Sequence, residues 1–136
     1  MDTKTLKSRK KIALFVTWTL FFLSLITKVY EMDNGSIKAY GYEAFFAGWM
    51  ELFGIGISWL ANPISVLAII FFMSNKIKLS LVLSFVALLF ALAFFIYTRL
   101  GETEITAIGI GYYLWAASIL AVFVSSIQLL RYVKVS

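Results

Sequence analysis

Four long apolar runs alternate with short polar stretches along the chain. The first covers residues 12–27, IALFVTWTLFFLSLIT, and is bounded by Lys11 and Lys28. At about 1.5 Å of rise per residue it is slightly short for a hydrocarbon core of roughly 30 Å. Snorkelling of Lys28 lets Val29 and Tyr30 extend it, which predicts a first span over residues 12–30. Basic residues ahead of an apolar run also describe a signal peptide. Residues 25–28 offer no small-x-small cleavage site, so the segment reads as an uncleaved anchor.

Residues 31–50 form an outer loop. Asp33-Asn34-Gly35-Ser36 is a turn signal. The aromatics that follow (Tyr40, Tyr42, Phe45, Phe46, Trp49) suit a headgroup interface, which predicts an interfacial helix over residues 41–50. The second span, residues 51–73, contains Asn62-Pro63, and proline in mid-helix releases the carbonyl of Trp59 and kinks the helix there. Residues 74–78 connect to a third span, residues 79–98, which has no charge within it. Residues 99–104 turn the chain into a fourth span, residues 105–130. The expectation is therefore one domain, residues 1–136, in the all-α integral membrane class, with four transmembrane helices running up-down-up-down.

Composition supports this class. Of the 136 residues, 62% are hydrophobic and 14% charged, with a mean hydropathy of +0.92. A soluble domain carries about 25% charged residues, and one small core could not hide so large an apolar excess. The net charge of +5 changes the picture only through its placement. Lys4, Lys7, Arg9, Lys10 and Lys11 precede the first run, which is a lipid-headgroup and orientation signal rather than a nucleic-acid footprint. The segments assigned inside hold nine of the twelve basic residues, and the outer ones hold Lys28, Lys38 and Arg99. Both termini are thus expected in the cytoplasm. Compact loops and the lack of cysteine suit a bacterial inner membrane.

Hydrophobicity cannot pull helices together in lipid, so packing relies on small residues. The second run carries Gly54, Ser58, Ala61, Ser65 and Ala68 at steps of four and three. The fourth carries Ala107, Gly111, Ser118, Ala121 and Ser125 on a similar stripe. The first has Ala13, Thr17, Ser24 and Thr27, and the third Ser80, Ser84, Ala87 and Ala91. A repeat of 3.5 residues predicts a left-handed bundle crossing near +20°.

Carried outward, the stripes reach polar groups. Glu51, Glu104 and Thr98 extend the second, fourth and third, Glu31 extends the first, and Asn62 lies beside the second. Ionisable groups within spans often mark a pathway, and carboxylates suit hard cations or protons. Glu51 accordingly has two readings: an inward carboxylate for a cation or proton, or a solvated interface group paired with Lys28, Lys38 or Arg99. Asn62-Pro63 likewise reads as a broken helix at a site or as a simple bend.

Histidine and cysteine are both absent, which removes the usual metal ligands, thiol nucleophiles and the neutral-pH base. No nucleophile–base pair stands within a span, so the chain is not expected to be an enzyme, and no cofactor is expected. In length and span number it is similar to the small multidrug transporter family. That family's essential membrane glutamate is in the first span, where this chain has no acid, so no residue carries over. The leading expectation is a non-catalytic accessory or assembly component, partnered by the lipid bilayer, by other membrane proteins or by itself. Phe90 and Phe94 on the third span would then form a lipid or partner face. The alternative is a small homo-oligomeric transporter or channel for protons or cations.

Overall fold

The computed structural model describes residues 3–51, 55–101 and 104–135. The chain is mostly helical. Helix α1 is Thr3–Ile26, α2 is Gly41–Ala47, α3 is Ala61–Met73, α4 is Ile77–Arg99 and α5 is Ile110–Val135. Three strands accompany them: β1 (Lys28–Met32), β2 (Ile37–Tyr40) and β3 (Ile105–Ile108), forming an antiparallel sheet in the order β2-β1-β3.

The helical class is consistent with this architecture, but the sheet is an element the apolar pattern did not predict. The first helix ends at Ile26 rather than continuing to residue 30, and the last begins at Ile110 rather than at 105. Lys28-Val29-Tyr30-Glu31-Met32 meets partners on both sides, with Glu31 opposite Lys38 on β2 and opposite Ala107 on β3. Such pairing satisfies backbone groups that a lone helix end leaves open. The β1–β2 turn falls on the Asp-Asn-Gly-Ser signal. Ser36 Oγ donates to Asp33 Oδ2 at 2.7 Å, and Asp33 and Asn34 take the left-handed conformation that such turns tolerate.

The second span differs as well. Instead of one kinked helix there are two 3-10 segments, Gly48–Glu51 and Ile55–Leu60, followed by α3. Pro63 is the third residue of α3, inside its first turn, where a missing N–H disrupts no established α-helical ladder. The expected bend of a continuous span is thus a change of winding just ahead of the proline.

Small residues let the helices approach. Ser80, Ser84, Ala87 and Ala91 are the buried residues of α4, at steps of four, three and four. They face a row on α3 that includes Ala61, Ser65, Ala68 and Phe72. On α5 the buried seam runs through Tyr112, Ile119, Val122, Ser126 and Leu129, one position beyond the predicted stripe, although Gly111 and Ser118 are also buried and Ala121 is half-buried. Helix α1 packs on α5, α5 on α4 and α4 on α3. Leu14 and Trp18 of α1 complete a core with Ala68, Phe72 and Val122. Ser80 and Ser126 share a hydrogen bond of 3.2 Å between α4 and α5.

The outward faces are apolar on every long helix: Phe15 and Phe22 on α1, Ile70 on α3, Phe85 and Leu89 on α4, Leu120 on α5. On α4, Phe90 packs against the Ala61–Ala87 core and Phe94 turns inward, and both are half-buried. Two helices, Ile77–Arg99 and Ile110–Tyr132, are long and apolar enough to cross a membrane. At the end away from the sheet, Lys10 Nζ donates to Met73 O and Asn75 Oδ1, both at 2.7 Å, closing the last turn of α3. Arg9 donates to the Tyr132 hydroxyl at 2.9 Å.

Glycine seats the sheet on the helices. A Cβ on Gly109 would lie 2.2 Å from Lys28 O, while the Gly109 amide donates to Val29 O at 2.7 Å. Gly109→Ala must therefore push backbone apart, and we expect a destabilisation of at least about 1–3 kcal/mol. Thermal unfolding in detergent, followed by circular dichroism, measures it; an unchanged midpoint would contradict this packing.

Candidate site: a roofed cavity between the sheet and the helices

Beneath the sheet the helices do not close. A cavity of about 280 Å³ lies there, with β1 and α2 on one side and α4 and α5 on the other. Its position follows from local structure. Leaving α1 at Ile26, the chain enters β1, whose Val29, Tyr30 and Met32 reach the cavity. The Gly41 amide donates to Thr27 O at 3.0 Å, which starts α2 directly against the end of α1 and brings Ala44 and Phe45 to the wall. Helix α2 is stabilised at its start by Glu43, whose carboxylate accepts from the Tyr40 amide at 2.8 Å. The 3-10 segment Ile55–Leu60 supplies Ser58 and Trp59. The Trp59 indole donates to Phe45 O at 2.6 Å and ties the two walls together.

The far wall is aromatic. Tyr112 stacks on Phe94 with ring centroids 5.4 Å apart and lies 5.8 Å from the Trp115 ring. Its hydroxyl donates to Ala91 O at 2.7 Å, so the ring is held and the hydroxyl is engaged. Two atoms of other lining residues are not engaged. Ser58 Oγ and Trp115 Nε1 are both buried and have no hydrogen-bond partner among the described residues. Asn62, 8% exposed, also lines the cavity. A buried polar group left unpaired costs about 1–3 kcal/mol.

Of the four residues expected at a ligand site, the structure brings two together. Asn62 and Glu104 line the cavity, Asn62 deep and Glu104 exposed at its rim. Thr98 does not; its hydroxyl donates to Phe94 O at 2.8 Å, one turn back on its own helix. The side chain of Glu51, and Gly54 of the predicted stripe, lie outside the described residues. Glu31, the outward end of the first stripe, forms an ion pair with Lys28 on the same strand. The hydrogen bond from Lys28 holds its carboxyl below the usual range. Tyr112, Trp115 and Trp59 were not anticipated as site residues, although an indole N–H within an apolar run is a donor that must find an acceptor.

Among the described residues, the lining offers uncharged donors, aromatic faces and one carboxylate at the mouth, and no lysine or arginine. Among the described residues no three acids converge to hold a metal ion. No family model, curated protein or solved structure matches the chain.

The Glu31 pairing makes a pH prediction. Because the folded pKa lies below the unfolded one, its contribution to stability is fully present above the ordinary carboxylate value. It is lost as pH falls through the folded pKa. Glu31→Gln should lower the unfolding midpoint at pH 7 and match wild type at strongly acid pH; an equal difference at both would show that the pair is not the cause.

Proposed function

We propose that this is a multi-pass membrane protein with four spans and both termini in the cytoplasm. On this reading it works without catalysis, as an accessory component that binds a membrane-soluble small molecule beneath its outer sheet. The observation that carries this reading is the cavity itself, about 280 Å³ and lined by Trp59, Phe94, Tyr112 and Trp115 with Asn62 among them. Pockets that bind small molecules are mostly apolar with a few convergent polar groups, and this one matches that pattern.

Apolar side chains facing outward on α1, α3, α4 and α5 support a four-helix bundle in lipid, since water would not tolerate an apolar belt on every side. Orientation is supported by charge. Lys4, Lys7, Lys11, Lys76 and Arg131 stand with Lys10 at the end away from the sheet, and clustered basic residues stay on the cytoplasmic side. A bacterial inner membrane remains the natural setting for such a chain.

Transport of protons or cations has one supporting observation, Glu104 at the cavity rim. Against it, the interior deeper than the cavity is closed. The space between Ser65, Ser84 and Ser118 has no room for a water molecule. Ser65, Ser84 and Ser118 also bond back to carbonyls of their own helices rather than forming a chain across the bundle.

Two experiments test this reading. The chain has no cysteine, so Lys38→Cys and Ser74→Cys can be labelled singly in intact cells with a membrane-impermeant maleimide. Lys38→Cys should label at once and Ser74→Cys only after permeabilisation; the reverse would invert the topology. Native mass spectrometry in mild detergent should find a small-molecule adduct on the wild-type chain. Ala44→Phe, which fills the cavity, should lose that adduct while remaining folded. An adduct retained by Ala44→Phe would place binding elsewhere.

A further inference from the structure

We infer that the end of the bundle away from the sheet holds a discrete site for one anionic phospholipid, whose phosphate meets Lys7, Lys10 and Lys11 of α1 and Lys76 of the α3–α4 turn. The inference rests on the membrane reading above. Charge is divided between the two ends of the molecule. The carboxylates of Glu31, Asp33, Glu43 and Glu104 all stand at the sheet end. At the other end Lys7, Lys11 and Lys76 are exposed, and none of the four lysines pairs with a carboxylate among the described residues. Like charges gathered without a counter-charge repel, so an anion from outside the chain is favoured there.

Helical geometry brings these cations to one side of α1. Lys10 Nζ donates to Met73 O and Asn75 Oδ1, both at 2.7 Å, so this side chain meets the turn that carries Lys76. Arg9 reaches the other way, to Tyr132 of α5. At about 100° per residue, Lys7 and Lys11 lie roughly 60° and 100° around α1 from Lys10, on the side opposite Arg9. They therefore flank the seam between α1 and α3, where Leu14 and Trp18 meet Ala68 and Phe72, and not the face packed on α5. The Lys10 ammonium is 6.0 Å from the Phe72 ring centroid, and that of Lys76 is 5.6 Å from the Phe71 ring centroid. Two cations thus border adjacent residues of α3. Partial burial pulls the Lys10 pKa below its ordinary value, a penalty that a neighbouring phosphate offsets.

An amphiphile fits this surface better than a soluble anion. Phe15 lies one helical turn beyond Lys11 and is 74% exposed, and Met73, three residues before Lys76, is half exposed. A basic cluster continued by apolar side chains matches a phosphate joined to acyl chains, and basic clusters between helices at this side of a membrane hold anionic headgroups. Lysine is a point charge without the planar fork of arginine. The site therefore selects the negative charge of the lipid and leaves the rest of the headgroup unread.

The test uses the full chain in a mild neutral detergent and reads bound lipid by native mass spectrometry. Dioleoyl phosphatidylglycerol, dioleoyl phosphatidylcholine and inorganic phosphate are the probes. Phosphatidylglycerol should saturate at one equivalent and bind about tenfold or more tightly than phosphatidylcholine, and phosphate should not displace it. Lys7→Gln, Lys11→Gln and Lys76→Gln should each weaken phosphatidylglycerol about fivefold, the effect of one lysine near an anionic headgroup. Lys10 is left in place because it also closes α3. Arg131→Gln removes the same charge at the same end but on α5, and should leave binding unchanged. A loss with Arg131→Gln equal to the others would mean diffuse attraction and overturn the site. Equal binding of phosphatidylcholine, or displacement by phosphate, overturns the lipid class. Absence of saturable phosphatidylglycerol binding overturns the inference alone. Recovery of the wild-type chain in the soluble fraction without detergent overturns the membrane reading and the inference together.

Discussion

The architecture depends on how closely backbone approaches backbone where α1 ends. Residues 24–29 turn from helix to strand, and glycines crowd against them from two distant parts of the chain. A Cβ on Gly41 would stand 1.9 Å from Ser24 O, and one on Gly111 would stand 2.8 Å from Lys28 O. No other residue allows that approach without moving main chain. The contacts carry hydrogen bonds as well, from Gly41 to Thr27 and from Gly109 to Val29. They bring the outer connection, the strand before α5 and the end of α1 together, and the sheet follows. A roof held this rigidly over the helix ends is what leaves a cavity beneath it rather than a collapsed loop.

Deeper in the molecule, small residues act in a different way. Alanines and serines on α3 and α4 remove bulk between helices, so dispersion contacts accumulate along the seam. Most of the serine hydroxyls serve their own helix: Ser24 donates to Phe21, Ser65 to Asn62, Ser84 to Ser80. Ser80 and Ser126 cross between helices, a contact worth on the order of 0.6 kcal/mol in lipid. The stripes are therefore packing surfaces, and among the described residues the buried side-chain atoms without a partner are Ser58 Oγ and Trp115 Nε1.

The two ends divide the labour. Away from the sheet, Arg9 and Lys10 lie on α1 and fasten α5 and α3, through Tyr132 and through the last turn before α4. These basic residues thus lock the helices to one another at this end. At the sheet end, Lys28 pairs with Glu31, and the Trp59 indole fixes α2. Between these two anchored ends the helices meet on small side chains, and the cavity sits just under the better-braced one.

Much of this was legible in the residues. Apolar runs separated by polar turns marked the helical segments, because burial in any apolar medium demands that pattern. Steps of four and three singled out Ser80, Ser84, Ala87 and Ala91 as the inward face of α4, since helical geometry alone puts them in line. Asn62 and Glu104 stood out as polar groups beside apolar runs, and both line the cavity. Thr98 had the same credentials, yet its hydroxyl bonds to its own helix. What the sequence could not decide was anything set by partners far apart in the chain. Lys28-Val29-Tyr30 continues a helix as readily as it forms a strand until β2 and β3 arrive on either side. The seam on α5 is displaced by one residue, because small residues near a face do not say which of two neighbouring rows meets the next helix. Pro63 announces that hydrogen bonding is interrupted, but whether it bends a helix or opens one depends on what precedes it in space. Periodicity and charge are local, so one chain determines them by itself. Strand pairing, helix register and the gathering of Ser58, Asn62 and Trp115 around one cavity are non-local, and only the tertiary structure selects among them.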